Sequence, residues 1–362
     1  MRQCWLGDKY DSFISAFERP ILTLRSIVSL PDVDTENPFV IKTYNDWIES
    51  LVSTFGVDGL RIDTVKHVQK SFWSGFKSAA GVFSIGEVFN GDASYTCAYQ
   101  EQLDGLLNYP LYYPMIRAFQ DSRGSMSSLS TAISTIQKSC RDPTLLGTFS
   151  ENHDNARFLS KTNDLHLNMN VIAFTILAGG IPIIYQGQEQ GFSGGNEPSN
   201  REALWTSAFS TKSALYTLIT SVNQIRNHEV FSSPTYLTSP TSVIYTDDHN
   251  IALRKGQIVS LFSNEGVNTT NYNLTLTDHR FAANQGVVEI LSCKNSTVSR
   301  AGNLRVAVQQ GMPQVISYPF IFPSICSQSS DILSKRGIEI VWCMLLVITR
   351  REVNIECSTS QH

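Results

Sequence analysis

Gly56-Val57-Asp58-Gly59-Leu60-Arg61-Ile62-Asp63-Thr64-Val65-Lys66-His67 is the stretch whose reading decides the fold. Just upstream, Trp47, Ile48, Leu51, Val52 and Phe55 recur at helical spacing, and Gly56 is placed to end that helix. Residues 59–63 then form a short strand candidate. Val68, Phe72, Trp73 and Phe76 begin a second helix, and residues 82–88 read as a second strand. The alternation continues outward from there. Strands are expected at 103–107, 145–149 and 181–185, and helices at 126–138, 165–177 and 212–227. Strands alternating with helices argue for an α/β domain with a parallel sheet. Periodicity alone leaves a (β/α) barrel and a doubly wound open sheet equally open.

Beyond about His228 the pattern changes. Short runs at 242–246, 251–254, 258–262, 272–276 and 287–291 are separated by turn residues, which predicts an all-β sandwich. The 362 residues are 42% hydrophobic and 17% charged, enough apolar material for a sizeable core and for two or three domains. Net charge is −4 and no basic run stands out, so neither a nucleic-acid nor an anionic-membrane surface has electrostatic support. The longest apolar run, 338–348, is too short to span a bilayer. Asn268-Thr269-Thr270, Asn273-Leu274-Thr275 and Asn295-Ser296-Thr297 are glycosylation acceptor patterns that fit a secreted protein, yet no signal peptide follows Met1.

Three carboxylates fall at or beyond strand ends: Asp63, Glu87 after Ile85-Gly86, and Asp154 in Glu151-Asn152-His153-Asp154-Asn155. A barrel places its active site at that end of its strands. Glycosidic cleavage needs one protonated acid for the leaving oxygen and one ionised carboxylate to attack the anomeric carbon or to activate water. Arg61 lies two residues before Asp63, so in a strand the two side chains share a face, and a guanidinium there keeps a carboxylate ionised. Glu87 suits the acid if its surroundings are apolar. Taken singly, each of these acids reads more readily as a salt-bridged strand-end residue.

Together they are more specific. The quoted stretch resembles the nucleophile motif of the α-amylase family, glycoside hydrolase family thirteen. Gly86-Glu87-Val88-Phe89 resembles its acid/base motif, and Phe149-Ser150-Glu151-Asn152-His153-Asp154-Asn155 its third-carboxylate motif. Order and spacing match, and connecting text such as Leu107-Asn108-Tyr109-Pro110, Gly180-Ile181-Pro182-Ile183-Ile184-Tyr185 and Asn200-Arg201-Glu202 resembles fungal members. The resemblance implies an α/β fold, a partial (β/α)8 TIM-type barrel lacking its first strands, followed by an all-β sandwich. The implied limits are 1–43 for a remnant of the family's inserted domain plus an atypical insertion, 44–232 for the barrel, 233–326 for the sandwich and 327–362 for an atypical tail. It implies a retaining endo-hydrolase of α-1,4-glucosidic bonds in starch and related glucans, monomeric and extracellular. Asp63 would be the nucleophile, Glu87 the acid/base, and Asp154 the residue that holds the distorted sugar's hydroxyls. Arg61 and His153 would support them. Lys66, His67 and Gly91 would line the leaving-group side, or else simply open a helix and serve a turn. Glu197 and Arg201 would contact sugar on the other side, although the family usually carries aspartate at the position of Glu197.

The resemblance further implies a structural Ca2+, with Asp32 and the backbone oxygen of His67 as ligands; two groups fall short of the six to eight oxygens calcium takes. It implies disulfides Cys97–Cys140 and Cys293–Cys326, a free Cys4, and no native bridge for Cys343 or Cys357. The family pattern also leads one to expect further strands upstream, to read residues 9–27 as an insertion and 327–362 as foreign, and hence a truncated or mis-assembled product. Five strands do not close an eight-stranded barrel, so little starch cleavage is expected at this length. Two other functions compete: a non-catalytic starch-binding or structural remnant, and an α-glucosidase or transglycosylase of the same family.

Overall fold

The computed structural model describes residues 33–319. Along the chain the elements are α1 (Pro38–Phe55), β1 (Gly59–Ile62), α2 (Lys70–Ala80), β2 (Phe83–Gly86), α3 (Ala93–Cys97), β3 (Gly105–Leu107), α4 (Tyr109–Phe119), α5 (Met126–Ser139) and β4 (Leu146–Thr148). They continue with α6 (Leu165–Leu177), β5 (Ile181–Pro182) and α7 (Ala214–Ser232). The all-β part follows as β6 (Ser242–Thr246), β7 (Asn250–Lys255), β8 (Ile258–Ser263), β9 (Tyr272–Leu276), β10 (Gly286–Glu289), β11 (Lys294–Thr297), β12 (Leu304–Val308) and β13 (Gln314–Ser317). The described chain falls into two compact units, one of residues 33–89 with Ala98–Leu107, the other of Asn90–Cys97 with 108–319.

In the first unit α1 starts nine residues before the apolar periodicity does. Asn37 caps it by accepting from the Phe39 amide, Pro38 opens its first turn, and Gly56 closes it in the left-handed conformation. Strands β1, β2 and β3 pair in parallel, with Gly59 opposite Phe83 and Ile85 opposite Gly105. Helix α2 buries Phe72, Trp73 and Phe76, and the Trp73 indole donates to the Val65 carbonyl (3.0 Å). That bond ties the turn after β1 to the helix that follows.

In the second unit β4 and β5 are again parallel, Gly147 opposite Ile181. Helix α4 has no counterpart in the sequence-based expectations, because Pro110 and Pro114 disguise it. Asn108 caps it, Pro110 occupies its first turn, where no amide is needed, and Pro114 is carried inside. Helix α6 is apolar on every side and buried from Leu167 to Leu177. The all-β part is a sandwich. A six-stranded sheet ordered β11-β10-β13-β8-β7-β6 faces the β9–β12 pair across a core that includes Val259, Leu261, Leu276, Phe281, Leu304 and Val306. This sandwich is joined to the helices at buried contacts: Phe119, Phe174 and Phe262 form one aromatic chain, with centroids 5.5 and 5.3 Å apart. Asn170 on α6 donates to the Gly311 carbonyl (2.6 Å) and accepts from the Ser263 amide (2.9 Å). Asn264 donates to the carbonyls of Ala118 (2.9 Å) and Gly124 (2.8 Å). The expected disulfide Cys97–Cys140 is present, linking α3 to the end of α5. Cys293 is disulfide-bonded; its expected partner Cys326, like Cys4, Cys343, Cys357 and Asp32, lies outside the described residues. No helix among the described residues is long and apolar enough to cross a membrane.

Candidate active site

Asp63 and Glu87 are the first residues past the C-terminal ends of β1 and β2. The ladder between these strands runs one step further. The Glu87 amide donates to the Ile62 carbonyl (2.8 Å), and the Val65 amide to the Glu87 carbonyl (3.0 Å). That register sets the two carboxylates side by side. Gly86 lets the strands close here, since a Cβ would stand 2.4 Å from Leu103 Cδ1 and 2.9 Å from Val65 Cγ2 and would make those side chains shift. Thr64 takes a left-handed backbone (φ 50°), a strained choice for a β-branched residue, and its amide donates to Glu87 Oε2 (3.3 Å).

Arg61 bridges the two acids, one Nη on Asp63 Oδ1 and the other on Glu87 Oε1 (3.1 Å). Their surroundings differ sharply. The Asp63 side chain is 64% exposed and that of Glu87 only 6%. Burial pushes the Glu87 carboxyl above its ordinary value; the Arg61 charge pulls it down, and a hydrogen bond with Asp63 adds to the rise. One of the pair is thus biased toward the protonated form, while the other sits in water against a guanidinium. Lys66 donates to the Phe89 carbonyl (3.0 Å) and lies 5.7 Å from the centre of the Phe89 ring. His67 closes the short turn Val65–His67 and is exposed.

The second unit holds the other expected residues. Gly91 packs so closely on Tyr113 that a Cβ would come within 2.8 Å of its ring. Asp154 lies six residues past β4. His153 Nε2 is 3.3 Å from its Oδ2, and Arg201 Nη2 is 3.4 Å from its Oδ1. Arg201 also pairs with Glu197 (3.0 Å) and donates to the His153 carbonyl (2.9 Å), so these four residues form one cluster. Asn200 fastens the same loop through the carbonyls of His153 (2.8 Å) and Asn155 (2.9 Å).

Beneath this cluster lies an ion group that sequence reasoning missed. Arg157, fully buried, pairs with Glu151 (3.1 Å) and Glu202 (2.5 Å). Its guanidinium sits 4.3 Å from the centre of the Tyr185 ring and 5.4 Å from that of Phe192. Burial pushes the Glu151 carboxyl up to about 7, against the pull of Arg157. The available signal was that Glu151 and Glu202 stand inside the motifs that carry Asp154 and Arg201.

Among the described residues no group of three or more His, Cys, Asp or Glu side chains is arranged to hold a metal ion. With Asp32 outside them, the His67 carbonyl is the one described member of the expected calcium set. The described residues therefore do not by themselves make a calcium shell.

The family model for the α-amylase catalytic domain matches residues 22–227, and that for α-amylase domain C matches residues 243–331. The chain is 44% identical over 327 residues to an α-amylase of Saccharomycopsis fibuligera, covering 90% of this chain and 62% of that relative. It is 50% identical over 334 residues to α-amylase 1 of Lipomyces kononenkoae, covering 90% and 51%. Among solved structures, an α-amylase from Malbranchea cinnamomea superposes with a TM-score of 0.79 at 48% identity, covering 81% of this chain and 62% of that one. The chain thus spans 62% of the length of the first of these relatives and about half of the second.

Proposed function

The chain belongs to the α-amylase family, and on that ground we propose that it is a retaining glycoside hydrolase that cleaves internal α-1,4-glucosidic bonds of starch and related glucans. The observation that carries the reading is the contrast between buried, proton-biased Glu87 and exposed, Arg61-paired Asp63 on adjacent parallel strands. In the first step the Glu87 carboxyl gives its proton to the glycosidic oxygen while Asp63 Oδ attacks the anomeric carbon. The C–O bond to the leaving sugar breaks and an Asp63 glycosyl ester forms. In the second, the Glu87 carboxylate takes a proton from water as that water displaces Asp63, so two inversions give net retention. Asp154, steadied by His153 and Arg201, holds sugar hydroxyls; Glu197, Lys66, His67 and Gly91 line flanking positions.

The finer readings go with this one. Three exposed glycosylation patterns and the Cys97–Cys140 disulfide support an extracellular protein. Calcium at Asp32 and the His67 carbonyl, with further oxygens, and a monomeric state are proposed on the family pattern, as are domain limits near 44–232 and 233–326. Reducing ends released by the 362-residue chain from soluble starch and from maltose test the function, together with the anomeric form of the first product. Starch turnover that exceeds maltose turnover and gives the α-anomer supports it. Preference for maltose would make the chain an α-glucosidase or transglycosylase. Starch binding without turnover would make it a non-catalytic remnant.

A further inference from the structure

We propose that Arg157 is a positioning residue for the reaction: it locks the segment carrying His153 and Asp154 to the segment carrying Glu197 and Arg201, acting through Glu151 and Glu202 and touching no sugar itself. The proposal rests on the reading of Asp154 and Arg201 as sugar contacts. Glu151 stands three residues before Asp154, and Glu202 directly follows Arg201. Each carboxylate spends one oxygen on Arg157 and the other on a backbone amide of its own segment, Glu151 Oε1 accepting from Phe158 (3.0 Å) and Glu202 Oε1 from Gly194 (2.6 Å), so Arg157 is the group that crosses between the two. The Arg157 amide donates to the Gly194 carbonyl (3.1 Å), and Gln186 holds the Glu202 carbonyl (3.1 Å). Gly194 leaves no slack, since a Cβ there would lie 1.7 Å from the Ser199 oxygen.

A planar fork is needed for this arrangement. Nε reaches Glu202 and Nη1 reaches Glu151, two partners in different directions within the plane stacked on Tyr185. A lysine would supply the charge at a single point and could not hold both segments in one register. The buried charge also makes the lock cooperative, because a guanidinium out of water holds only while carboxylates compensate it. The titratable and charged groups facing Glu151 are Arg157, Glu202 and, from α4, the Tyr112 phenol.

The test compares the parent chain with Arg157→Lys, Glu202→Gln, Asp154→Asn and the Arg157→Lys/Asp154→Asn double variant. It measures kcat and KM on soluble starch and maltoheptaose binding by calorimetry. Arg157→Lys should lower kcat about 10–100-fold, or maltoheptaose affinity about tenfold where turnover is absent. The double variant should lose little more than Asp154→Asn alone. Glu202→Gln keeps the buried Glu151–Arg157 pair, which guards against simple misfolding. Its activity should fall selectively as pH drops below about 7; the midpoint shifts down somewhat, because the Glu202 charge that helps raise Glu151 is gone. Parent-like kinetics and binding in Arg157→Lys, additive losses in the double variant, or a Glu202→Gln pH profile that parallels the parent's would overturn the positioning role alone. A parent that neither hydrolyses starch nor binds maltoheptaose would overturn the functional reading and this proposal with it.

Discussion

Asp63 and Glu87 share Arg61, yet their environments differ, and on the proposed reading that difference divides the labour between them. Asp63 stands in water against the guanidinium, and burial biases Glu87 toward its protonated form. Glu87→Gln keeps the shape and removes the proton. Made in a full-length context, it should lower starch hydrolysis by roughly 10²–10⁴-fold, with the thermal midpoint within a few degrees of the parent, read by reducing-end assay and circular dichroism. In the parent, the alkaline limb of the rate profile should lie above 4.5, the direction in which burial moves Glu87, and Glu87→Gln should abolish it. Both carboxylates were legible in the sequence because each directly follows a short strand, so a local pattern places it. Arg157 was not legible. Its partners come from loops 6 residues before and 45 residues after it, and nothing in one-dimensional spacing says which carboxylate a buried arginine will meet.

At the scale of elements, most strands and helices follow the period expected of them, and the residue sequence also explains the exceptions. Helix α4 hides behind two prolines whose position, one in the first turn and one carried inside, cannot be told from a helix break by pattern alone. Strand β5 is only two residues long where 181–185 was expected, and a single further bond, from the Ile183 amide to the Thr148 carbonyl (2.8 Å), extends its ladder to β4. The β1–β2 pair depends on the missing side chain at Gly86. Gly86→Ala should cost about 1–3 kcal/mol by overpacking against Leu103 and Val65. It should also lower kcat more than it raises KM, since Glu87 is the next residue. Thermal melting and starch kinetics on the same preparation check both. An alanine variant with parent stability would mean that Leu103 and Val65 yield freely.

For the whole molecule, buried carboxylates set how stability answers to pH. Glu151 binds its proton more tightly folded than unfolded. Its burial therefore costs nothing below about 4.5, and the cost grows as pH rises to about 7, reaching about 3 kcal/mol. Glu229, also raised by burial, acts in the same direction, while Asp92, Asp121 and Asp247, held low, are ionised throughout that window. Melting midpoints should thus decline from pH 5 to 8, and Glu151→Gln should flatten the decline whatever it does to the absolute midpoint; an unchanged slope would place the titration elsewhere. The two buried asparagines at the sandwich carry a lesson for anyone exchanging parts among such proteins. Asn264 satisfies carbonyls at the end of α4 and in the loop before α5, and Asn170 satisfies an amide of β8 and a carbonyl of the loop between β12 and β13. A transplanted β-module is compatible with this chain only if it brings an amide side chain at the place of Asn264 and offers a backbone amide and carbonyl to Asn170, so interchangeability here is decided by four hydrogen bonds and not by the likeness of the folds.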